Sequence, residues 1–174
     1  MKILETGRLV LRLIVAEDAP FILELLNDPS FLRFIGDRGV RTLDDARAYI
    51  EKGPSASYAR FGFGLWLAQL RDDGTPIGMC GLLKRDTLDD VDIGFAYLPA
   101  FRGQGYAHEA AAAVMEHGRL ALGIPRIVAI VSPENVASIR LLEKIGLAFD
   151  RRIDLNGDGR DTCLFVPAPT PGPQ

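Results

Sequence analysis

The residues with the most chemical potential stand at Arg102-Gly-Gln-Gly-Tyr-Ala107. They follow the apolar run Val91–Leu98 and a Pro99 stop, and they open an alanine-rich helical pattern that runs to about Leu122. A glycine-rich turn feeding a helix leaves backbone N–H groups without partners. Those donors, with the positive end of the helix dipole, suit phosphate-type anions. Gly103 and Gly105 permit angles that a β-carbon forbids and let a ligand come close to the main chain. Arg102 adds a planar cationic fork. Glycines before a helix are also ordinary loop chemistry, so these six residues alone leave both readings open. A P-loop would require Gly-Lys-Ser/Thr, which is missing, and a Rossmann fingerprint would place its third glycine where His108 stands.

Other chemical groups are scattered. Asp92 lies at the start of the strand-like run 91–98, as a potential base or as a solvated or paired strand residue. Asp154-x-Asn156-x-Asp158-Gly159 imitates the start of a calcium loop, but its twelfth position is Phe165 instead of a bidentate Glu, so a hairpin turn is expected. His108-Glu109 is followed by Ala112, which excludes a zincin pair, and His108 and His117 read as surface helix residues. Cys80 falls in a strand pattern and reads as core.

The elements that must position these groups follow from periodicity and punctuation. Arg8–Leu13 alternates as a strand, and Asp18-Ala-Pro20 starts a helix that Asp28-Pro29 breaks. A short helical piece spans Phe31–Phe34. Thr42, with Asp45 at the third helical position, caps a helix to about Lys52. Residues 62–71 and Ile77–Lys84 form a hairpin around Asp72-Asp73-Gly74. Arg126–Ser132 is a β-branched strand. Asn135–Ile145 is a helix closed by Gly146, and 147–155 pairs with 160–166 in a last hairpin. Hairpins call for antiparallel pairing, while the helix between 91–98 and 126–132 calls for a parallel or splayed pair. Two strands diverging at the glycine turn leave a slot for a long, phosphate-bearing ligand.

The chain has 174 residues, 48% hydrophobic and 25% charged, which fits one globular domain over 1–166 with a proline-rich tail at 167–174. A net charge of −3 gives no support for nucleic-acid binding. Cys80 and Cys163 are far apart and fit a reduced, cytoplasmic protein. No apolar run reaches membrane-spanning length.

Three segments together resemble the GCN5-related N-acetyltransferases, most closely the ribosomal-protein N-terminal acetyltransferase branch. They are Thr6-Gly-Arg-Leu-Val-Leu-Arg12 with Glu17-Asp-Ala19, then Asp92-Ile-Gly-Phe95 with Arg102–Ala107, which matches the family's Gln/Arg-x-x-Gly-x-Gly/Ala signature, and Asn135-Val-Ala-Ser138 with Glu143-Lys-Ile-Gly146-Leu147. Leu147 stands where Phe is usual. The resemblance implies an α/β (α+β) fold with a mixed, mostly antiparallel sheet, a splayed central strand pair and helices on both faces. It implies acetyl-CoA as co-substrate, no metal, and a monomer or homodimer. Amides from Arg102, Gly103, Gln104, Gly105, Tyr106 and Ala107 would hold the coenzyme's pyrophosphate. Main-chain groups of Phe95, Ala96 and Tyr97 would pair with its pantetheine arm, and Asn135 would reach it from the next helix.

For acetyl transfer, the resemblance makes Asp92 the base, directly or through water, in a position where Glu is usual. Ser138 would serve the departing sulfur, although with Asn135 as N-cap it could equally satisfy a backbone donor. The family's tyrosine acid has no counterpart after Tyr106, and Tyr97 is a weaker substitute. The implied acceptor is a primary amine, either a small molecule or a peptide or protein N-terminus. A non-catalytic acyl-CoA-binding module, or transfer of a longer acyl group, stays open beside it.

Overall fold

The structure is a computed structural model that describes residues 1–173. Its centre is one eight-stranded sheet in the order β1-β2-β3-β4-β5-β6-β8-β7. The strands are β1 (Lys2–Glu5), β2 (Leu9–Leu13), β3 (Leu65–Leu70), β4 (Pro76–Leu83), β5 (Val91–Tyr97), β6 (Ile127–Val131), β7 (Leu147–Ile153) and β8 (Thr162–Pro167). The helices are α1 (Ala19–Leu26), α2 (Pro29–Phe34), α3 (Leu43–Ile50), α4 (Ala56–Phe61), α5 (Tyr106–Leu120) and α6 (Val136–Lys144). Every strand pair is antiparallel except β5 with β6. The expected α/β fold is the observed one.

Local chemistry explains the boundaries. The Thr42 hydroxyl accepts from Asp45 N at 3.1 Å and the Asp45 carboxylate accepts from Thr42 N at 3.1 Å, so the expected cap starts α3. Asp28 caps α2 by accepting from Ser30 N and Phe31 N, with Pro29 at the first helical position. Gly146 takes φ +93° after α6 and Gly74 takes φ +74° in the β3–β4 turn, both conformations that suit glycine.

Several expectations need correction. β1 was not foreseen: four residues, two exposed and two half-buried, are too short for alternation to register, and pairing with β2 is what holds them extended. Residues 62–64 are not strand. A π-turn over Glu51–Ser55 carries the chain from α3 into α4, and Gly62 at φ +79° ends that helix before β3 begins. Pro54 sits inside this turn, where the wider ring spares its missing N–H. α5 stops at Leu120, not Leu122, because the N–H groups of Ala121 and Leu122 both turn back to the His117 carbonyl. β8 runs through Pro167, so the tail starts one residue later than expected, and the last residue, Gln174, lies outside the described residues.

Helices cover both faces. α5 places Ala110, Ala111 and Val114 in a core with Leu9, Leu11, Trp66 and Leu82. α1, α2 and α3 place Ile22, Leu25, Phe31 and Ile50 in a second core against Leu65, Leu67 and Met79. Among the described residues no helix is long and apolar enough to cross a membrane.

Candidate active site

β5 and β6 share only two paired positions, Val91 with Ile127 and Asp92 with Val128. Beyond them β6 turns to β8 while β5 stays on β4 through Tyr97. The sheet therefore opens into a slot. Strand parity decides which main-chain groups line it. Leu98 N donates to Ile77 O on the β4 side, so even-numbered residues of this stretch, Ala96 included, spend their backbone on β4. Phe95 and Tyr97 point theirs into the slot. The Tyr97 carbonyl is already occupied, accepting from Arg102 Nε at 3.1 Å and Nη2 at 2.7 Å. Of the three residues expected to pair with a pantetheine arm, Phe95 thus offers both groups and Tyr97 its N–H. Ala96 offers only a side chain lining the slot.

At the end of the slot the chain makes an anion nest. Gly103 at φ +74° and Gly105 at φ +83° flank Gln104, and Gly105 is the N-cap of α5. Among the described residues, no protein acceptor meets the N–H groups of Gly103, Gln104, Gly105, Tyr106, Ala107 or His108. Consecutive unpaired amides converging at a helix N-terminus fit a diphosphate. Arg102 departs from expectation. Its guanidinium is committed to Asp28 at 2.9 Å, Ser30 at 3.0 Å and the Tyr97 carbonyl, and its own N–H donates to Pro99 O. It ties the nest to α2 instead of presenting a free fork.

A residue the sequence reading passed over takes the place near the amides. Arg8 Nη1 donates to Gln104 O at 2.9 Å, and its guanidinium lies 4.2 Å from the Tyr106 ring centroid. Glu109 holds Arg8 there, accepting from Arg8 Nε at 2.7 Å, Arg8 N at 2.8 Å and Thr6 Oγ1 at 2.6 Å. Burial pushes the Glu109 carboxyl up, but these bonds from Thr6 and Arg8 outweigh it and hold it below its ordinary value. The partners are 101 and 103 residues apart in sequence, so only the folded sheet reveals them.

Two cavities adjoin. One, of about 560 Å³, follows the slot past Phe95, Ala96 and Tyr97 to the nest. The other, of about 380 Å³, lies between β5, α2, α3 and the β7–β8 turn. They share Phe31, Phe34, Ile35, Phe95, Asn135 and Ser138. Asn135 Oδ1 accepts from Ser138 N at 3.3 Å and so caps α6. That bond satisfies the backbone donor at Ser138. Ser138 lines both cavities, and its hydroxyl makes no hydrogen bond within the described residues.

Asp92 lines the smaller cavity while being fully buried, at 0% exposure. Arg85 Nε donates to both of its oxygens, at 3.0 and 3.2 Å. Burial raises the Asp92 carboxyl above its ordinary value and the Arg85 cation pulls it only part of the way back. Tyr97 is out of reach of the slot as an acid. Its hydroxyl is buried without a hydrogen-bond partner, and the Cys80 thiol lies against it without completing one. Burial, then the thiol, push it well above the ordinary phenol value. Among the described residues no three His, Cys, Asp or Glu side chains cluster to hold a metal ion.

Known proteins share this sequence pattern and fold. Residues 8–148 match the model of the acetyltransferase (GNAT) domain. The uncharacterized N-acetyltransferase YnaD of Bacillus subtilis (strain 168) is 32% identical over 142 residues, covering 82% of this chain and 80% of YnaD. The crystal structure of an acetyltransferase from Agrobacterium tumefaciens str. C58 superposes with a TM-score of 0.79 at 27% identity, over 95% of this chain and 93% of that one. The fold is also that of RimL, a ribosomal L7/L12 alpha-N-protein acetyltransferase solved in complex with coenzyme A, with a TM-score of 0.79, 18% identity, and 97% and 98% of the two chains covered. Acetyl-CoA is the acyl donor of this fold, and the unpaired amides at the end of a splayed strand fit it. The chain belongs to the GNAT acetyltransferase family.

Proposed function

We propose that the protein N-acetylates a primary amine, with an α-amine of a peptide or small molecule as the preferred acceptor. The observation that carries this is the junction of the two cavities at Phe95, Asn135 and Ser138. One cavity ends in a diphosphate nest and the other is closed by a buried carboxylate, so donor and acceptor can approach from opposite sides. Bound acetyl-CoA supplies an acetyl group activated as a thioester.

The chain's own groups supply the rest. The amides of Gly103–Ala107 hold the diphosphate, and Phe95 with the Tyr97 N–H pairs with the pantetheine amides. Asp92, with its carboxyl raised by burial, accepts the proton that the amine must shed, directly or through one water. The amine nitrogen then forms the new N–C bond as the C–S bond breaks and its electron pair leaves on sulfur. Ser138, which lines both cavities and whose hydroxyl is unbonded among the described residues, would donate to that sulfur. An α-amine near pKa 8 sheds its proton more readily than a lysine-type amine near 10.4, which supports the choice of acceptor.

The test is mass spectrometry of products from a panel of amino acids, peptides, polyamines and aminoglycosides incubated with acetyl-CoA. N-acetylated α-amines are expected. O- or S-acetylated products would overturn the proposal. So would tight acetyl-CoA binding without any acetylated amine, the behaviour of a regulatory module.

A further inference from the structure

The charge of the acceptor cavity narrows the substrate class. Among its lining residues the one carboxylate is Asp92, and Arg85 Nε already engages both of its oxygens. Two arginines line the same cavity, Arg85 and Arg38. The Nη1 and Nη2 groups of Arg85 meet no acceptor within the described residues, and its side chain is 30% exposed. Arg38 makes no hydrogen bond or ion pair within the described residues. A third cation stands nearby: Arg160 Nη1 is 3.9 Å from where a Cβ on Gly36 would sit, in the segment that carries Arg38. The acids of that rim do not line the cavity and accept hydrogen bonds of their own. Asp37 bonds Arg41, Asp154 takes the N–H groups of Asp158 and Gly159, and Asp158 takes Arg160 N.

A diamine or polyamine entering here would meet two arginine heads and one carboxylate already neutralised. Its second ammonium would have no partner and would be repelled. An anion would find the reverse. With Nε fixed on Asp92, the Arg85 guanidinium is locked in plane with its two terminal nitrogens unspent, which is the fork geometry that grips a carboxylate in two parallel bonds. Among the other lining residues, Phe31, Phe34, Ile35 and Tyr49 suit an apolar side chain.

We infer that the acceptor is an amine that also carries an anionic group, a carboxylate foremost, which Arg85 grips and Arg38 supports. Asp92 then has a positioning task, orienting Arg85, beside its proton task. This inference rests on the acetyl transfer proposed above.

The test compares leucine, leucinamide and 1,5-diaminopentane as acceptors, together with C-terminally amidated tripeptides carrying Asp, Asn or Lys at the second position. The first set probes a main-chain carboxylate and the second a side-chain carboxylate. Within at least one set the anionic member should exceed its neutral partner in kcat/KM by roughly tenfold to a hundredfold, the worth of a charge-assisted hydrogen bond. The cationic member should be poorest. Arg85→Met should erase that preference while calorimetry shows acetyl-CoA affinity unchanged. Because that variant leaves Asp92 unpaired, the exposed Arg38→Ala gives a second reading and should shrink the ratio several-fold in a protein of unchanged Tm.

Binding separates failure of this inference from failure of acetyl transfer. Calorimetry of N-acetylleucine and of N-acetylleucinamide with the coenzyme A complex should favour the acid, in wild type but not in the arginine variants. If no amine is ever acetylated and that binding preference holds, the catalytic proposal falls and the anion site stands. Equal kcat/KM for acid and amide in both sets, preference for the diamine, or a ratio untouched by Arg38→Ala and Arg85→Met would overturn the inference.

Discussion

Replacing Glu109 by glutamine separates the charge of this residue from its shape. The carboxylate accepts three bonds, from Thr6 Oγ1, Arg8 N and Arg8 Nε. Glutamine keeps an oxygen for the first two but turns an NH₂ toward the Arg8 guanidinium. The loss is one charge-assisted bond and the charge on the other two. A bond to a charged group contributes about 1.5–3 kcal/mol. The Arg8 side chain is 47% exposed, which moves the ion pair toward the low values of surface pairs. The expected cost at pH 7 is therefore about 1–2 kcal/mol. The sign with pH follows from the lowered Glu109 carboxyl. Its stabilisation is present above the unfolded value, about 4.3, and fades as pH falls through the lower folded value. The gap between wild type and Glu109→Gln should thus narrow progressively as pH falls below the unfolded value of about 4.3. Urea unfolding followed by the fluorescence of Trp66, the chain's one tryptophan and 1% exposed, reads it directly. Arg8 also bonds Gln104 O inside the anion nest, so acetyl-CoA should bind about three- to tenfold more weakly, less than one full charge-assisted bond. An unchanged stability at pH 7, or a gap of equal size at pH 3.5, would refute the account of Glu109.

Four further outcomes are expected. Gly105→Val forces a β-branched residue into φ +83° at the nest and should weaken acetyl-CoA binding by about a hundredfold or more in a folded protein, as calorimetry would show. Asp92→Asn should lower turnover by about a hundredfold and should remove the acidic limb of the pH–rate profile. In wild type that limb lies above the ordinary carboxylate range, with activity rising as Asp92 loses its proton. Ser138→Ala should cost turnover less than this, since a thiolate can leave unaided, and pre-steady-state kinetics would separate the steps. Gly81→Ala should lower Tm severely, because a Cβ there would overlap the Gly64 carbonyl oxygen and press on Leu65 Cα.

What could be read from the sequence was local chemistry with a short period. The cap at Thr42, the turn at Asp72-Asp73-Gly74, the helix stop at Gly146 and the glycine turn before α5 each declare themselves within about six residues. The parallel pairing of β5 with β6 was legible too, because a crossover helix calls for it, while the splay beyond two positions came only from the family resemblance. Hidden were features that need a distant partner. β1 exists through β2. The π-turn at Glu51–Ser55 looks like a break because Gly53-Pro54 ends most helices. Arg102 looks like a ligand fork until Asp28, 74 residues away, takes it. Arg85 lies seven residues from Asp92, but only the β4–β5 hairpin folds it back onto that carboxylate.

The two-position joint between β5 and β6 also divides the backbone pairing of the sheet. β1 to β5 form one continuous ladder, and β6 to β8 form another. With so few shared rungs, the second ladder is tied to the first mainly by side chains, Ile127, Leu142, Leu147 and Phe165 packing in one core with Trp66 and Leu82, and local opening of β6–β8 at a free energy below that of global unfolding is the expected outcome. Amides of β6, β7 and β8 should then exchange hydrogen sooner than those of β3 and β4. A ligand that pairs with Phe95 on one side and lies against α6 on the other replaces the missing rungs. At a hundredfold excess over its Kd such a ligand adds about 2.7 kcal/mol to the folded state. Here that stabilisation would fall most heavily on exchange in the second ladder, and a donor substrate held as proposed would also act as a strap across the sheet.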